Sequence, residues 1–260
     1  MAIQRIAGSS KDFPKTRALL ANAIVAQMLP NGVVKGGTAL KFRFGDASTR
    51  FTTDLDTARR GNLDTFIEQL EDYLSAGWNG FSGRVVPREP AHPKNVPAAY
   101  VMHPFNIKMS YLGRPWCTVS LEVGHNEIGD ADEPDSMTPP ELVRMIEELG
   151  FTDLKALPIM PLHYQIAQKI HGASEPGSRR AHDLIDLQVI VQNGDVDLAL
   201  TRRTCERLFA YRNTHSWPPT VEKGEEWESL YAAQLLPSIL QTADEAVAWV
   251  NNIIKTIAGI

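Results

Sequence analysis

The sequence predicts an α+β protein, with a small mixed β-sheet domain over residues 1–135 followed by a helical bundle domain over residues 136–260. Three observations carry this. Two β-rich runs, Tyr100 to Tyr111 and Trp116 to Val123, flank a Leu112-Gly113-Arg114-Pro115 turn and read as an antiparallel hairpin. Beyond Pro140, apolar residues recur at helical spacing nearly throughout. Between the halves, Asp130 to Pro140 is acidic and proline-rich and reads as an exposed linker. A chain of 260 residues is long enough for two modest domains, each with its own core.

The elements follow in order. From Asp12, the residues Leu19, Leu20, Ile24, Val25 and Leu29 predict an amphipathic helix with Pro14 in its first turn, ended by Pro30-Asn31-Gly32. Thr38 to Phe44 is a short helix or strand-like element, and Arg50 to Ala58 fits a strand. Asn62 or Asp64 can cap a helix through Phe66, Leu70 and Leu74, which ends by Gly83. Four prolines between Pro87 and Pro97 predict an irregular connection. After the hairpin and linker, helices are expected over Glu141 to Leu149, Pro161 to Ala173, Ala181 to Val191, Val196 to Tyr211, Glu226 to Leu236 and Thr242 to Ile257.

Composition bounds the function classes. A hydrophobic share of 43% and a charged share of 22% are those of an ordinary globular protein. The net charge of −5 offers no global attraction for nucleic acid, so any polynucleotide contact has to be local. Cys117 and Cys205 have no partner at metal-ligand spacing, and the N-terminus lacks the apolar core of a signal peptide. With no run of membrane-spanning length, a reducing cytoplasm is the expected location, without a membrane partner.

Gly36-Gly37-Thr38 and the stretch Arg50 to Asp56 carry the chemistry. Two glycines allow close approach of the backbone to a phosphate, and a helix opening at Thr38 aims its unpaired N–H groups at the same anion. Asp54 and Asp56, at i and i+2 of a strand, share a face with Cα atoms roughly 6.5–7 Å apart, and can grip a hard cation between them. Glu122 alternates with Val119, Leu121 and Val123 and so lies on the polar face of its strand. No Gly-Lys-Ser/Thr follows the glycines, which excludes a Walker A loop.

The segment GGTAL followed by RFTTDLD resembles motif I of the AbiEii/AbiGii toxin family, within the nucleotidyltransferase superfamily. A second stretch, Lys169 to Ala173 and then Arg179-Arg180-Ala181-His182-Asp183 to Leu187, resembles that family's later motifs. His182 stands where the family usually carries an arginine, leaving that role to Arg179 or Arg180, or to neither. The resemblance implies Mg²⁺ or Mn²⁺ held by Asp54, Asp56 and a third acid from a neighbouring strand, for which Glu122 is the candidate. It implies a nucleotide-binding set of Gly36, Gly37, Thr38, Arg50, Thr52 and Lys169, in which Thr52 also supports the dicarboxylate strand. Asp183 is expected to partner Lys169 or act as general base, with Asp186 second.

What the resemblance implies as a whole is a nucleotidyltransferase that uses an NTP. It would be the toxin of a toxin–antitoxin or phage-defence pair, with a cognate antitoxin protein and an RNA acceptor such as the 3′ end of tRNA. The helical domain is expected to close the catalytic cleft. Two alternatives stay open: a small-molecule nucleotidyltransferase of the aminoglycoside-modifying kind, and a non-catalytic binding protein. His163, His171 and His182 lack zinc-ligand spacing. Arg202, Arg203, Arg207 and Arg212 form a basic helical stripe that could meet an RNA backbone.

Overall fold

A computed structural model describes residues 2–10, 12–90 and 101–259. It divides into two compact units, Met1–Gly45 with Thr52–Met160, and Asp46–Phe51 with Pro161–Ile260. The first unit therefore runs past the expected break after residue 135.

The first unit is built on a seven-stranded mixed sheet. Its strands are β1 (Gly32–Lys35), β2 (Leu55–Arg59), β3 (Phe81–Pro87), β4 (His103–Tyr111), β5 (Arg114–His125), β6 (Asp135–Met137) and β7 (Leu157–Ile159), in spatial order β3-β4-β5-β2-β1-β7-β6. β2 runs parallel to β5, β1 parallel to β7, and the other pairs are antiparallel. The unit's helices are α1 (Ala2–Ala7), α2 (Phe13–Ala26), α3 (Gly36–Phe44), α4 (Leu63–Ala76) and α5 (Pro140–Glu148).

Alternation along the strands decides which face is covered. Ile107, Val119, Leu121 and Leu55 are buried and join one core cluster with Leu20 and Ile24 of α2 and with Phe66, Leu70 and Leu74 of α4. The intervening residues Lys108, Thr118, Ser120 and Glu122 lie on the opposite, polar face. Asn62 caps α4, its side chain accepting from Asp64 N at 2.7 Å and Thr65 N at 3.4 Å.

Several expectations need correction. The strand expected over Arg50 to Ala58 begins only at Leu55. The carbonyls of Thr53 and Asp54 accept from Asn22 and Thr38 side chains, and Arg50 belongs to the second unit, so the ladder cannot start earlier. α3 begins at Gly36 rather than Thr38. The acidic stretch after Asp130 is not an exposed linker. Asp130 and Ala131 are buried, Arg60 donates to the carbonyls of Ala131 and Asp132, and Arg43 pairs with Asp135, which fixes β6 to the sheet edge. β1, β3, β7 and α1 were not expected as elements. The proline-rich connection and the start of the hairpin at Tyr100 lie outside the described residues.

The second unit contains α6 (Leu162–Ser174), α7 (Ala181–Asn193), α8 (Leu198–Arg212), α9 (Trp227–Ala232) and α10 (Ala243–Ala258), each matching an expected helix to within a few residues. Trp227 and Tyr231 are buried, and Tyr231 donates to the carbonyl of Leu240 at 2.8 Å. α10 opens on a Thr242/Glu245 capping box. Asp46–Ser48 forms a 3₁₀ turn, and the short Asp46–Phe51 segment that contains it brings Arg50 to α7. Among the described residues, no helix is long and apolar enough to cross a membrane.

Candidate active site

The sheet sets three charged residues in one row. Lys35 is the register partner of Asp56 on antiparallel β1 and β2, and Asp56 is the partner of Glu122 on parallel β2 and β5. Residues directly opposite share a face, so the ammonium and the two carboxylates stand side by side on the polar surface of the sheet. Arg88, at the end of β3, reaches the same row with Nη2 3.9 Å from Glu122 Oε1.

Glu122 registers this crowding. Partial burial, then the charges of Asp56 and Asp54, push its carboxyl above the ordinary glutamate range, while Arg88 and Lys35 pull the other way. Among the described residues, no group of three or more His, Cys, Asp or Glu side chains is placed to hold a metal ion. Mg²⁺ does not require such a group, because it keeps waters, takes one or two carboxylates, and completes its shell with substrate phosphates.

Gly36 is shaped to this acid pair. Its φ of +65° disfavours any side chain, and a Cβ built there would lie 2.3 Å from Asp56 Oδ2. The carboxylate thus rests directly against the first residue of α3, where backbone N–H groups have no intrahelical acceptor. Phosphates bound by those amides would meet the carboxylate row at the same corner.

Asp54 is exposed and directly precedes β2. A brace behind it holds its backbone. Thr38 Oγ1 donates to the Asp54 carbonyl at 2.6 Å, and Asn22 Nδ2 donates to Thr38 Oγ1 at 3.3 Å and to the Thr53 carbonyl at 3.2 Å. The Thr38 hydroxyl is therefore occupied with the backbone. Thr52 has no hydrogen-bond partner among the described residues.

The second unit holds its own charged cluster. Lys169 Nζ on α6 lies 3.1 Å from Asp183 Oδ1 and 2.6 Å from Asp186 Oδ2 on α7, with all three residues buried. Arg50 forks onto Asp186, Nε to Oδ1 at 2.9 Å and Nη2 to Oδ2 at 3.0 Å, and reaches Gln234 Oε1 at 3.3 Å. Arg180 Nε bonds Asp183 Oδ2 across Gly172, where a Cβ would lie 2.7 Å from that nitrogen. Arg180 thus serves Asp183, whereas Arg179 pairs with Glu226 at the surface.

Three cations and two carboxylates leave this cluster one positive charge in excess. Burial alone would raise both aspartates, but Arg180 and Lys169 outweigh it at Asp183, and Lys169 and Arg50 do so at Asp186, so both carboxyls sit below the usual range. Asp183 is accordingly a weak proton acceptor and a firm anchor for the lysine. Burial, with Arg50, Arg180 and Lys169 nearby, pushes His182 down to about 4, and it stays neutral at pH 7.

Lys35, Asn22 and Arg88 were missed from sequence. Lys35 directly precedes the glycines, yet only the β1–β2 register sets it opposite Asp56. The expected stripe on α8 is not one face: Arg202 pairs with Glu206 at 2.9 Å, and Arg212 Nη1 turns to His171 Nδ1 at 3.2 Å.

Residues 17–252 match the profile of the nucleotidyl transferase AbiEii toxin of type IV toxin–antitoxin systems. No curated protein sequence gives a match. Among solved structures, the chain is similar to MenT4, a nucleotidyltransferase toxin from Mycobacterium tuberculosis H37Rv, with TM-score 0.56 and 17% identity over 99% of this chain and 97% of that one. It also resembles JHP933 from Helicobacter pylori, with TM-score 0.47 and 14% identity over 96% and 92% of the two chains. At such identities the first likeness speaks to the fold alone.

Proposed function

Because the chain belongs to the AbiEii nucleotidyltransferase toxin family of type IV toxin–antitoxin systems, we propose that it transfers a nucleoside monophosphate from an NTP to RNA, at the 3′ end of tRNA. Pyrophosphate leaves as the acceptor hydroxyl oxygen bonds to the α-phosphorus. The observation that supports this most is the row Lys35, Asp56 and Glu122, with Asp56 pressed against Gly36 at the mouth of α3.

Phosphoryl transfer is chiefly a matter of positioning and charge neutralisation. Asp54, Asp56 and Glu122 would hold Mg²⁺ or Mn²⁺, which when bound polarises the phosphate and favours ionisation of the attacking hydroxyl. The amides of Gly36, Gly37 and Thr38 receive the trailing phosphate oxygens. Thr38 and Asn22 act from behind, fixing the backbone that carries Asp54. Lys35 offsets part of the charge of Asp56 and Glu122, so that the acids stay together before any cation arrives.

Lys169 is the proposed phosphate contact of the second unit. Two of its three ammonium donors face Asp183 and Asp186, and the third has no partner among the described residues and would serve an anion. Asp183 orients the lysine rather than accepting a proton, in keeping with its depressed carboxyl. Arg50 contributes positive charge through the buried cluster, its guanidinium being held by Asp186. A cognate antitoxin and a cytoplasmic setting complete the reading.

The test is to incubate the purified chain with Mg²⁺, each labelled NTP and total RNA, with aminoglycosides as a parallel acceptor. Label in tRNA is expected. Label in the aminoglycoside alone, or in no acceptor at all, would refute the RNA assignment.

A further inference from the structure

The polar face of the sheet continues away from the carboxylates as a row of cations. Arg84 on β3 is the register partner of Lys108 on β4, which in turn faces Thr118 on β5. One step nearer the acids come Val86, Asn106 and Ser120, and then Pro104, Glu122, Asp56 and Lys35. Arg88 donates to Ser120 Oγ at 3.0 Å and closes the gap between the two groups. The register shift in the hairpin lies between Met109 and Ser110, beyond these rows, so their common face is unaffected. The reverse face, with Ile107, Val119 and Leu121, is buried in the core, whereas on the cationic side Arg84, Arg88 and Thr118 are exposed and Lys108 is half-buried.

This distribution is costly to the fold taken alone. Arg84 and Lys108 stand directly opposite each other, and like charges in such a pair destabilise a sheet. No acidic residue occupies these rows between Arg84 and Ser120. Lys108 meets only the hydroxyl of Thr118, at 3.1 Å, and Arg84 makes no hydrogen bond or ion pair among the described residues. In a chain of net charge −5, three cations with hydroxyl and amide neighbours on one open sheet face form a local patch suited to phosphates. Along β5, Thr118 and Glu122 are separated by roughly 13 Å of strand, so the patch opens onto the carboxylates rather than lying apart from them.

We infer that the open face of β3, β4 and β5 is the track on which the phosphodiester backbone of the RNA acceptor lies, with Arg84 and Lys108 contacting its phosphates. The inference rests on the nucleotidyltransferase reading and adds to it the surface that presents the acceptor. Arg84 and Lys108 take no part in the chemistry. They supply sequence-independent, salt-sensitive attraction, while choice of the acceptor end is left to the residues around Asp56.

Binding of a fluorescent single-stranded RNA to the full chain, followed by anisotropy between 50 and 250 mM salt, tests this. The variants are Arg84→Gln/Lys108→Gln and, as a control on α8, Arg203→Gln/Arg207→Gln. Removing two phosphate contacts should weaken binding about tenfold and flatten the slope of log affinity against log salt by about 1.4, while the melting temperature holds or rises as the repulsion disappears. The α8 variant should bind as the parent does. An unchanged salt slope in the sheet variant, a loss confined to the α8 variant, or a parent chain with no affinity for RNA would overturn the inference. So would a sheet variant that loses an acidic protein partner and keeps RNA. Transfer of label is measured in parallel: a chain that binds RNA through this face but transfers nothing sinks the proposed function alone, and intact transfer with an unchanged slope sinks the track alone.

Discussion

Replacing Gly36 by alanine isolates the contact on which the site depends without touching any charged group. The residue sits at φ +65°, where an alanine costs about 1–2 kcal/mol. Its new Cβ would fall 2.3 Å from Asp56 Oδ2, and ordinary contact begins near 3.4 Å, so the carboxylate must retreat by about 1 Å. A displacement of that size at a reacting centre costs on the order of 10²-fold in rate. In a domain of this size, the strain should lower the melting temperature by only about 2–8 °C. Nucleotidyl transfer by Gly36→Ala, assayed at 25 °C beside a thermal melt, should fall about a hundredfold in a protein that remains folded. Activity within about threefold of the parent would refute the claim that Asp56 must rest against the mouth of α3.

Lys169→Met should destabilise the second unit by about 3–5 kcal/mol in urea unfolding, because it leaves the buried Asp183 and Asp186 short of a cation. An unchanged midpoint would contradict the cluster. Thr38→Val removes the 2.6 Å bond to the Asp54 carbonyl and should cost about 1–3 kcal/mol with a measurable loss of transfer. Burial, then Arg212 and His215, holds His171 neutral down to about 3, whereas the unfolded chain protonates it near 6.5. The unfolded state therefore takes up a proton that the folded state refuses, so this contribution is fully present above pH 6.5 and is lost as pH falls toward 3. His171→Phe should flatten that part of the stability profile, as followed by unfolding at stepped pH.

Much of the candidate site can be proposed from sequence because its residues are close along the chain. Gly36, Gly37 and Asp56 sit within one motif, and the alternation around Val119 to Val123 assigns Glu122 to the polar face without any coordinates. Pairing was not legible. Lys35 meets Asp56 only through the β1–β2 register, and Glu122 meets Asp56 only because β5 lies parallel to β2. β3 escaped notice because Gly83 and Pro87 look like breakers, yet Gly83 packs against Met109 and Leu74, where a larger residue would not fit. The acidic run near Asp130 reads as solvated until Arg43 and Arg60, distant in sequence, are seen to pin it. Motif I also supplies residues to both units. Arg50 lies with Asp186 while Asp54 lies with Thr38, and short-range pattern cannot divide neighbours in that way.

The central claim is that carboxylates from adjacent strands hold a divalent ion beside the glycine turn, and direct binding of Mn²⁺ followed by electron paramagnetic resonance tests it without reference to any acceptor. The account predicts saturable Mn²⁺ binding by the parent chain and at least tenfold weaker binding by Asp56→Ala, whose melting temperature is unchanged. Equal Mn²⁺ affinity in the two proteins, or none in the parent, would contradict it.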